Sequence, residues 1–276
     1  MNTSEPALTY VYAVAARSPG LDEVVGRLHG VAGTSLTLLP TSGVGPGSPV
    51  FAVSRVPAAD WNGQALKARF EDLGWLEATA RAHHEVVEAL AARTTVLPLR
   101  LATLYEDTAR ALTALHEQHD LFAERLALLA GHTEFGVKAY IAPATTGPDP
   151  PPADMTSPGK AYLRSRRAQQ HARDDQYRQA AGAAQHLTDT AARYASARVR
   201  HPVQSGPLAG DRDGENVLND AYLVPDDRAD DFRAAIEQEA AHLPGIRVDV
   251  TGPWAPYSFA TPPPGPPDGG DLGAAT

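Results

Sequence analysis

The side chains best suited to chemistry in this chain are its ten histidines. His116 and His119 are three residues apart, a spacing that on one helix would offer two imidazoles to a metal ion. His83 and His84 are adjacent, so on a helix they point about 100° apart and cannot easily share one ion. No second pair of histidines or carboxylates nearby completes either set. We therefore predict that the histidines pack at or near the core, and that the chain holds no metal.

The other familiar arrangements of catalytic residues are missing from the sequence. There is no Gly-x-Ser-x-Gly nucleophile elbow, no phosphate-binding Gly-x-x-x-x-Gly-Lys loop and no His-Glu-x-x-His helix. The absence of cysteine excludes thiolate metal sites and cysteine nucleophiles. The acidic pairs Asp174-Asp175 and Asp226-Asp227 fit helix surfaces or starts, where solvation and the helix dipole explain them. We predict no catalytic residue, no cofactor and no enzymatic activity.

Charge and hydropathy restrict the class of partner. A net charge of −9 and a pI near 5.5 disfavour binding to nucleic acid or to an anionic membrane, both of which need clustered positive charge. The local exception, Arg164-Ser165-Arg166-Arg167, is interpreted as a solvated helix face. No run of about 18 apolar residues and no signal-like start is present. The expectation is a soluble, cytoplasmic protein.

Hydrophobic periodicity predicts an α+β chain that begins with a mixed domain over residues 1–133. Its predicted strands are Tyr10–Ala15, Leu36–Leu39, Val50–Val56 and an edge strand at Thr95–Leu101. Its predicted helices run from Phe70 to Ala92, with Leu76, Ala80 and His83 or His84 on the core face, and from Glu106 to Ala130. The Gly43-x-Gly45-x-Gly47 loop is followed by a strand rather than a helix, so a plain hairpin is favoured over a phosphate cradle.

Residues 134–259 are predicted to form a second domain with a ferredoxin-like β-α-β-β-α-β plan. The predicted order is a strand at Phe135–Ile141, a long helix from Gly159 to Arg200, a short strand near Pro202–Gly206, a strand at Leu218–Val224, a helix starting at Asp226-Asp227 and a strand from Arg247. Pro143–Pro158 is predicted to be irregular. Part of the long helix should project, because about 40 residues extend roughly 60 Å. Residues 260–276, rich in Pro and Gly, are predicted to be disordered.

The last predicted strand runs into a rigid aromatic turn, Gly252-Pro253-Trp254-Ala255-Pro256-Tyr257-Ser258-Phe259. Its prolines restrict φ and Gly252 permits unusual backbone angles, so Trp254, Tyr257 and Phe259 are held at set positions. None of these three side chains suits acid, base or nucleophilic work here. The turn is therefore a candidate either for contacting a partner or for closing the fold.

Several segments together resemble the gas vesicle protein F/L family. They are Val96–Tyr105, which contains Leu97-Pro98-Leu99-Arg100, then Glu134–Tyr140, Gly159–Leu163, Leu218–Val224 and the turn Gly252–Phe259. The likeness extends from about Tyr10 to Phe259. The chain departs from the family pattern at Leu101-Ala102-Thr103, where relatives more often have Phe-Gly-Thr, a change expected to alter local packing.

The resemblance implies an accessory, minor structural component of gas vesicles, the protein-walled compartments that give cells buoyancy. Family members have two α+β domains, the second ferredoxin-like, and are associated with the gas-facing side of the shell. They contact the small, hydrophobic main shell protein and other accessory proteins and help assembly. No catalytic residue is carried over from the family, and the chain could be an F or an L member. The projecting helix from Gly159 is a second candidate contact surface.

A different class of function remains open at this point. A ferredoxin-like protein could bind a small ligand or act as an enzyme, with its site on the sheet face or in a cleft. That alternative requires a pocket with converging polar groups.

Overall fold

The structure, a computed structural model, describes residues 6–40, 45–142, 158–203 and 214–260 of the 276-residue chain. The chain divides into two compact units. The first unit comprises Met1–Gly131 and Trp254–Thr276, and the second unit comprises His132–Pro253. The fold is mixed α+β, with one antiparallel sheet in the first unit and a further four-stranded sheet in the second.

The first unit is built around strand β1, whose residues Tyr10 to Ala15 are all completely buried. In chain order its elements are β1 (Ala7–Ala16), α1 (Leu21–Val25), β2 (Leu36–Leu39), β3 (Pro49–Pro57), α2 (Ala58–Trp61), α3 (Gly63–Arg69), α4 (Leu73–Ala91), β4 (Val96–Pro98), β5 (Leu104–Tyr105), α5 (Thr108–Glu117) and α6 (His119–Leu129). The sheet order is β2-β3-β1-β4, and β5 also pairs with β1. The predicted strands and the edge position of Pro98 are confirmed. β2 and β3 form the predicted hairpin, although loop residues 41–44 lie outside the described residues.

Helix α4 covers one face of this sheet. The helix is capped by Asp72. The Asp72 carboxylate accepts hydrogen bonds from the backbone N–H groups of Gly74 and Trp75, which satisfies two otherwise unpaired donors. Val86, Val87 and Leu90 recur at helical spacing and join the core. His83, not His84, is the buried histidine. Ala80, which was predicted to face the core, is exposed because it lies at the margin of the buried stripe.

The predicted helix over residues 106–130 is wrong, because the chain forms two helices there. It breaks at Gln118, whose φ of −108° and ψ of 13° are not helical. Both helices pack on β1 and β3, and the break lets α5 reach β5 as well while α6 reaches β4. His116 and His119 consequently lie on separate helices, and the spacing that suggested a pair of ligands does not apply.

The second unit contains β6 (His132–Ile141), α7 (Pro158–Ala192), β7 (Ala197–Arg200), β8 (Glu215–Pro225), α8 (Ala229–Ala240) and β9 (Ile246–Trp254), the last residue of β9 already belonging to the first unit. A 3-10 turn at Asp226–Arg228 leads into α8. The sheet order is β7-β8-β6-β9. Phe232 of α8 packs on Phe135 of β6 and Tyr222 of β8, with ring centroids 5.0 and 5.7 Å apart. These contacts make one core of the sheet and α8, to which α7 adds Leu187 and Ala191.

The end of the long helix and the strand after it were predicted wrongly. Helix α7 ends at Ala192 rather than Arg200, and the short strand lies at Ala197–Arg200 rather than near Pro202–Gly206. Arg198 pairs with Asp220 at 2.6 Å across the two strands, so the strand is held by a charged residue that gives no hydrophobic signal in the sequence. The predictions for 143–157 and for the tail beyond 260 lie outside the described residues.

Candidate functional site

We call residues Gly252–Phe259, which begin within β9 and run nearly to the end of the described chain, the terminal turn. Gly252 has a φ of 112°, and a Cβ atom added there would lie 2.6 Å from the carbonyl oxygen of Glu134. Its own carbonyl oxygen accepts a hydrogen bond from the Arg233 guanidinium. Only glycine combines that backbone angle with so close an approach to β6. The Gly252–Pro253 peptide bond that follows is cis.

Beyond Pro253 the terminal turn packs on α4. The backbone N–H of Ala255, a residue only 3% exposed, donates a hydrogen bond of 3.0 Å to the Glu88 carboxylate. Tyr257 approaches His84, with 3.4 Å between its hydroxyl and the imidazole Nδ1. These contacts place Trp254 and the residues after it in the first unit, so the prediction that the second domain extends to residue 259 is corrected. The chain leaves the second unit at Pro253 and adds the short helix α9 (Tyr257–Ala260) to the first.

The three aromatic side chains predicted to matter in the terminal turn do not share one environment. Tyr257 and Phe259 are half-buried, and Tyr257 joins the core cluster of the first unit. Trp254 remains 41% exposed, and the edge of its ring meets the His84 ring with centroids 5.4 Å apart. The structure therefore brings Trp254 and Tyr257 together around His84, with Trp254 facing outward.

A second exposed apolar side chain, Leu73 at the start of α4, lies on the same side of that helix as His84 and Trp254. Leu73 is 78% exposed, and it precedes His84 by 11 residues. Eleven residues are about three helical turns, so the two positions share a face and lie roughly 16 Å apart along the axis. Ala80 lies between them and is exposed. We call Leu73, Ala80 and Trp254 the α4 face.

The sequence analysis missed the contribution of Leu73 to this surface. The available signal was its position directly after the capping residue Asp72, where a leucine has no place in the buried stripe. Glu77 and Arg81 flank the α4 face and pair with each other at 2.5 Å. The α4 face is thus bordered by a paired acid and base on the same helix, with Glu85 one turn beyond Arg81.

The neighbouring histidine, His83, is buried in the core of the first unit. Its Nδ1 atom lies 2.9 Å from the hydroxyl of Tyr10, and burial lowers its pKa to about 4. The imidazole is thus neutral at physiological pH, and it packs against the rings of Tyr10 and Tyr12. Its position in the core explains it without a role in catalysis.

The histidines and carboxylates do not gather into a metal site in the part of the chain that the structure describes. No group of three or more His, Cys, Asp or Glu residues there could hold an ion. His119 instead pairs with its neighbour Asp120 at 3.0 Å, and His116 lies 3.3 Å from the carbonyl oxygen of Leu112.

Two grooves lie on the described surface of the molecule. One is lined by Glu77, Arg81 and Glu85 together with small residues of α4, and its acidic and basic groups are strung along one open helix face. The other is lined mainly by small and apolar residues of the second unit, with Gln179 and His186 as its polar members. Gln179 is already engaged with the carbonyl oxygen of Pro244. Neither groove has the converging polar groups that a specific small-molecule site uses.

A buried polar cluster in the second unit is part of its core. Asp220 is 1% exposed and receives hydrogen bonds from Arg198 and from the hydroxyl of Tyr222, at 2.6 and 3.1 Å. Burial, together with the nearby Asp220 carboxylate, raises the pKa of Tyr222 to about 12. The cluster links β7 to β8.

Within the described ranges, no helix is long and apolar enough to cross a membrane.

Comparison with known proteins accounts for nearly the whole chain. The family described as gas vesicle synthesis protein GvpL/GvpF matches residues 8–261. Gas vesicle protein L of Streptomyces sp. (strain CB03234) is 38% identical over 260 residues, covering 93% of this chain and 94% of the relative. Gas vesicle protein F of the same strain is 28% identical over 259 residues, covering 91% and 98%.

Two solved structures of gas vesicle proteins have a similar fold. The crystal structure of the gas vesicle protein GvpF from Anabaena sp. PCC7120 superimposes with a TM-score of 0.65 at 17% identity, covering 93% of this chain and 97% of that one. GvpF from Microcystis aeruginosa gives a TM-score of 0.61 at 16% identity, covering 93% and 99%. The chain therefore belongs to the gas vesicle GvpL/GvpF family and is involved in gas vesicle formation.

Proposed function

We propose that this protein is an accessory, minor structural component that binds the hydrophobic main shell protein and assists nucleation and assembly of the gas vesicle. The observation that carries the proposal is the α4 face. It exposes the apolar side chains of Leu73 and Trp254, at 78% and 41%. A hydrophobic shell subunit is prone to aggregate before it assembles, and a protein that covers its apolar surface transiently reduces that loss.

The magnitude of the contact follows from the exposed apolar area. Burying a leucine side chain that is largely exposed stabilises a complex by about 1.5–3 kcal/mol. Tryptophan is among the residues that most often dominate interface energies. Leu73 at the start of α4 and Trp254 against His84, about three helical turns further along, suit a helix or strand of the partner laid along α4. The complex is expected to be weak enough to release the shell subunit into the growing wall.

Within the terminal turn we propose a division of roles. Trp254 contacts the partner, because much of its surface is exposed. Ala255, Tyr257 and Phe259 close the fold of the first unit, because they are buried or half-buried and Ala255 is hydrogen-bonded to Glu88. A perturbation of Trp254 should then affect binding, and a perturbation of Ala255 should affect stability.

The experiment that tests this is co-purification of the shell protein with single-substitution variants. Leu73→Glu places a charge on the α4 face and is expected to reduce the recovered shell protein about tenfold, since losing about 1.4 kcal/mol changes an affinity by that factor. Leu128→Glu on α6 is the matched control, because Leu128 is also largely exposed, at 56%. Both variants should fold normally. Equal recovery with Leu73→Glu and Leu128→Glu would refute the α4 face as the contact surface.

Salt provides a second discriminating measurement. An apolar contact should persist or strengthen in about 1 M salt, where charge interactions are screened beyond about 3 Å. If the shell protein is recovered with this chain at low salt and lost at high salt, the contact is ionic and lies elsewhere on the molecule.

The remaining parts of the proposal concern architecture and location. We propose that the second unit is a ferredoxin-like domain, since its β-α-β-β-α-β element order and β7-β8-β6-β9 sheet match that plan. We also propose that the protein has no enzymatic activity, contacts other gas vesicle accessory proteins and resides on the gas-facing side of the shell. Protease protection in intact vesicles that is lost when the vesicles are collapsed tests the location, and cleavage in intact vesicles would contradict it.

A further inference from the structure

Helix α7 has two halves with different surroundings. Its second half packs on the second unit through Ala180, Ala183, Leu187 and Ala191, all of them buried. In the first half, Tyr162 is 61% exposed and the arginines of residues 164–173 are exposed as well. Its exposed first half is therefore available for contact with another molecule.

The exposed half is also the most basic part of the chain. Residues 158–173 contain five cationic side chains and no acidic one: Lys160, Arg164, Arg166, Arg167 and Arg173. Because the chain has a net charge of −9, the remainder carries −14. Arg164, Arg167 and His171 follow one another at spacings of three and four residues, so they share a helix face. We call residues 158–173 the basic arm.

A complementary acidic surface exists on the same chain. Asp226, Asp227, Asp230 and Asp231 lie in the 3-10 turn and first turn of α8, and all four are exposed. With Arg228 between them the segment has a net charge of −3. The helix dipole favours acids at this position, but it does not require four of them. We call residues 226–231 the acidic turn.

The basic arm and the acidic turn of one molecule cannot reach each other. Arg228 of the acidic turn donates a hydrogen bond of 3.2 Å to the carbonyl oxygen of Arg193, directly after the C-terminal end of α7. Arg164 is 29 residues earlier on the same helix, which at 1.5 Å per residue is roughly 40 Å. That distance is several times the Debye length of about 8 Å at physiological salt.

From this arrangement we propose that the protein associates with itself head to tail, the basic arm of one copy docking on the acidic turn of a second copy. The contact is heterologous, so each molecule keeps one basic and one acidic surface free for further copies. The proposal is independent of the α4 face. Binding of the basic arm to nucleic acid is the alternative, and nuclease treatment in the test below distinguishes it.

Sedimentation velocity of the full chain tests the proposal. At about 0.01 M salt, where the Debye length is about 30 Å, the weight-average mass should rise with protein concentration. In about 1 M salt the protein should sediment as a monomer. The variant R164E/R167E should remain monomeric at low salt, and so should D230K/D231K. Circular dichroism checks that both variants are folded.

Mixing the two variants gives the most specific outcome. The acidic turn of R164E/R167E and the basic arm of D230K/D231K are both intact, so an equimolar mixture should form dimers that cannot extend further. The proposal is overturned if the mixture stays monomeric, if wild type stays monomeric at low salt, or if nuclease treatment abolishes the association. Leu73→Glu should associate like wild type, so failure of the shell-binding proposal is distinguishable from failure of this one.

Discussion

Replacing Gly252 by alanine should destabilise the second unit strongly. The residue has a φ of 112°, and an added Cβ would lie 2.6 Å from the carbonyl oxygen of Glu134 and 3.2 Å from the Phe135 ring. The unusual backbone angle costs about 1–3 kcal/mol for a residue with a side chain. The overlap adds about 1–3 kcal/mol, because Glu134 belongs to β6 and is paired with Leu223 of β8, so its backbone cannot move freely. The expected loss is about 3 kcal/mol.

Urea and thermal unfolding followed by circular dichroism measure this loss. For a unit of this size, about 3 kcal/mol corresponds to a fall in Tm of roughly 10 °C. Gly245→Ala is the matched control, since Gly245 has a φ of 73° but nothing within 4 Å of its added Cβ. That variant carries the backbone strain alone and should lose about 1 kcal/mol. The reasoning is refuted if the two variants lose the same free energy, or if Gly252→Ala loses less than Gly245→Ala.

Three further outcomes are expected. Ala102 has a φ of 60°, in the left-handed region that favours glycine, so Ala102→Gly should raise the free energy of unfolding by about 0.5–1 kcal/mol in urea titrations, and a decrease would contradict this. The Tyr12 hydroxyl accepts a hydrogen bond from the Val31 N–H at 2.9 Å and lies 2.8 Å from the Ser54 hydroxyl, so Tyr12→Phe should cost about 1–3 kcal/mol in the same assay, whereas no loss would refute that role. The pKa of Tyr222 is raised from 10 to about 12. The protonated hydroxyl therefore stabilises the folded state fully below pH 10, and this stability is lost as the pH rises from 10 to 12. In Tyr222→Phe the free energy of unfolding should fall by up to about 2.7 kcal/mol less than in wild type between pH 10 and 12. An unchanged dependence on pH would count against this role.

Local sequence patterns predicted much of the fold. Alternating β-branched and aromatic residues marked β1, β3 and β8 because such side chains suit a buried pleated surface. The stripe containing Val87 and Leu90 marked α4, since its period matches a helix. The family resemblance, confirmed over residues 8–261, came from short segments including Leu97-Pro98-Leu99-Arg100. Trp254, Tyr257 and Phe259 were singled out from the sequence as candidates for partner contact or fold closure, and their role stays a prediction.

Other features depended on contacts that no local pattern reports. The hydrophobic stripe continues across Gln118, so no local pattern marks the break between α5 and α6, which lets α5 contact β5 and α6 contact β4. Strand β7 is only four residues long and follows the helical pattern of α7 closely, so its alternation is too short to mark it, and Arg198 on Asp220 holds it in place. The exposure of Leu73 could not be read from its type, because an apolar residue at a helix start is equally compatible with burial.

The sequence by itself determined most of the secondary-structure elements, the family and the stiffness of the terminal turn, since each of these depends on residues close together along the chain. Only the tertiary structure decided to which unit that turn belongs. The deciding hydrogen bond joins Ala255 to Glu88, which are 167 residues apart. The same packing leaves Trp254 exposed beside His84 while it half-buries Tyr257, because exposure depends on which neighbours surround a side chain and not on its identity.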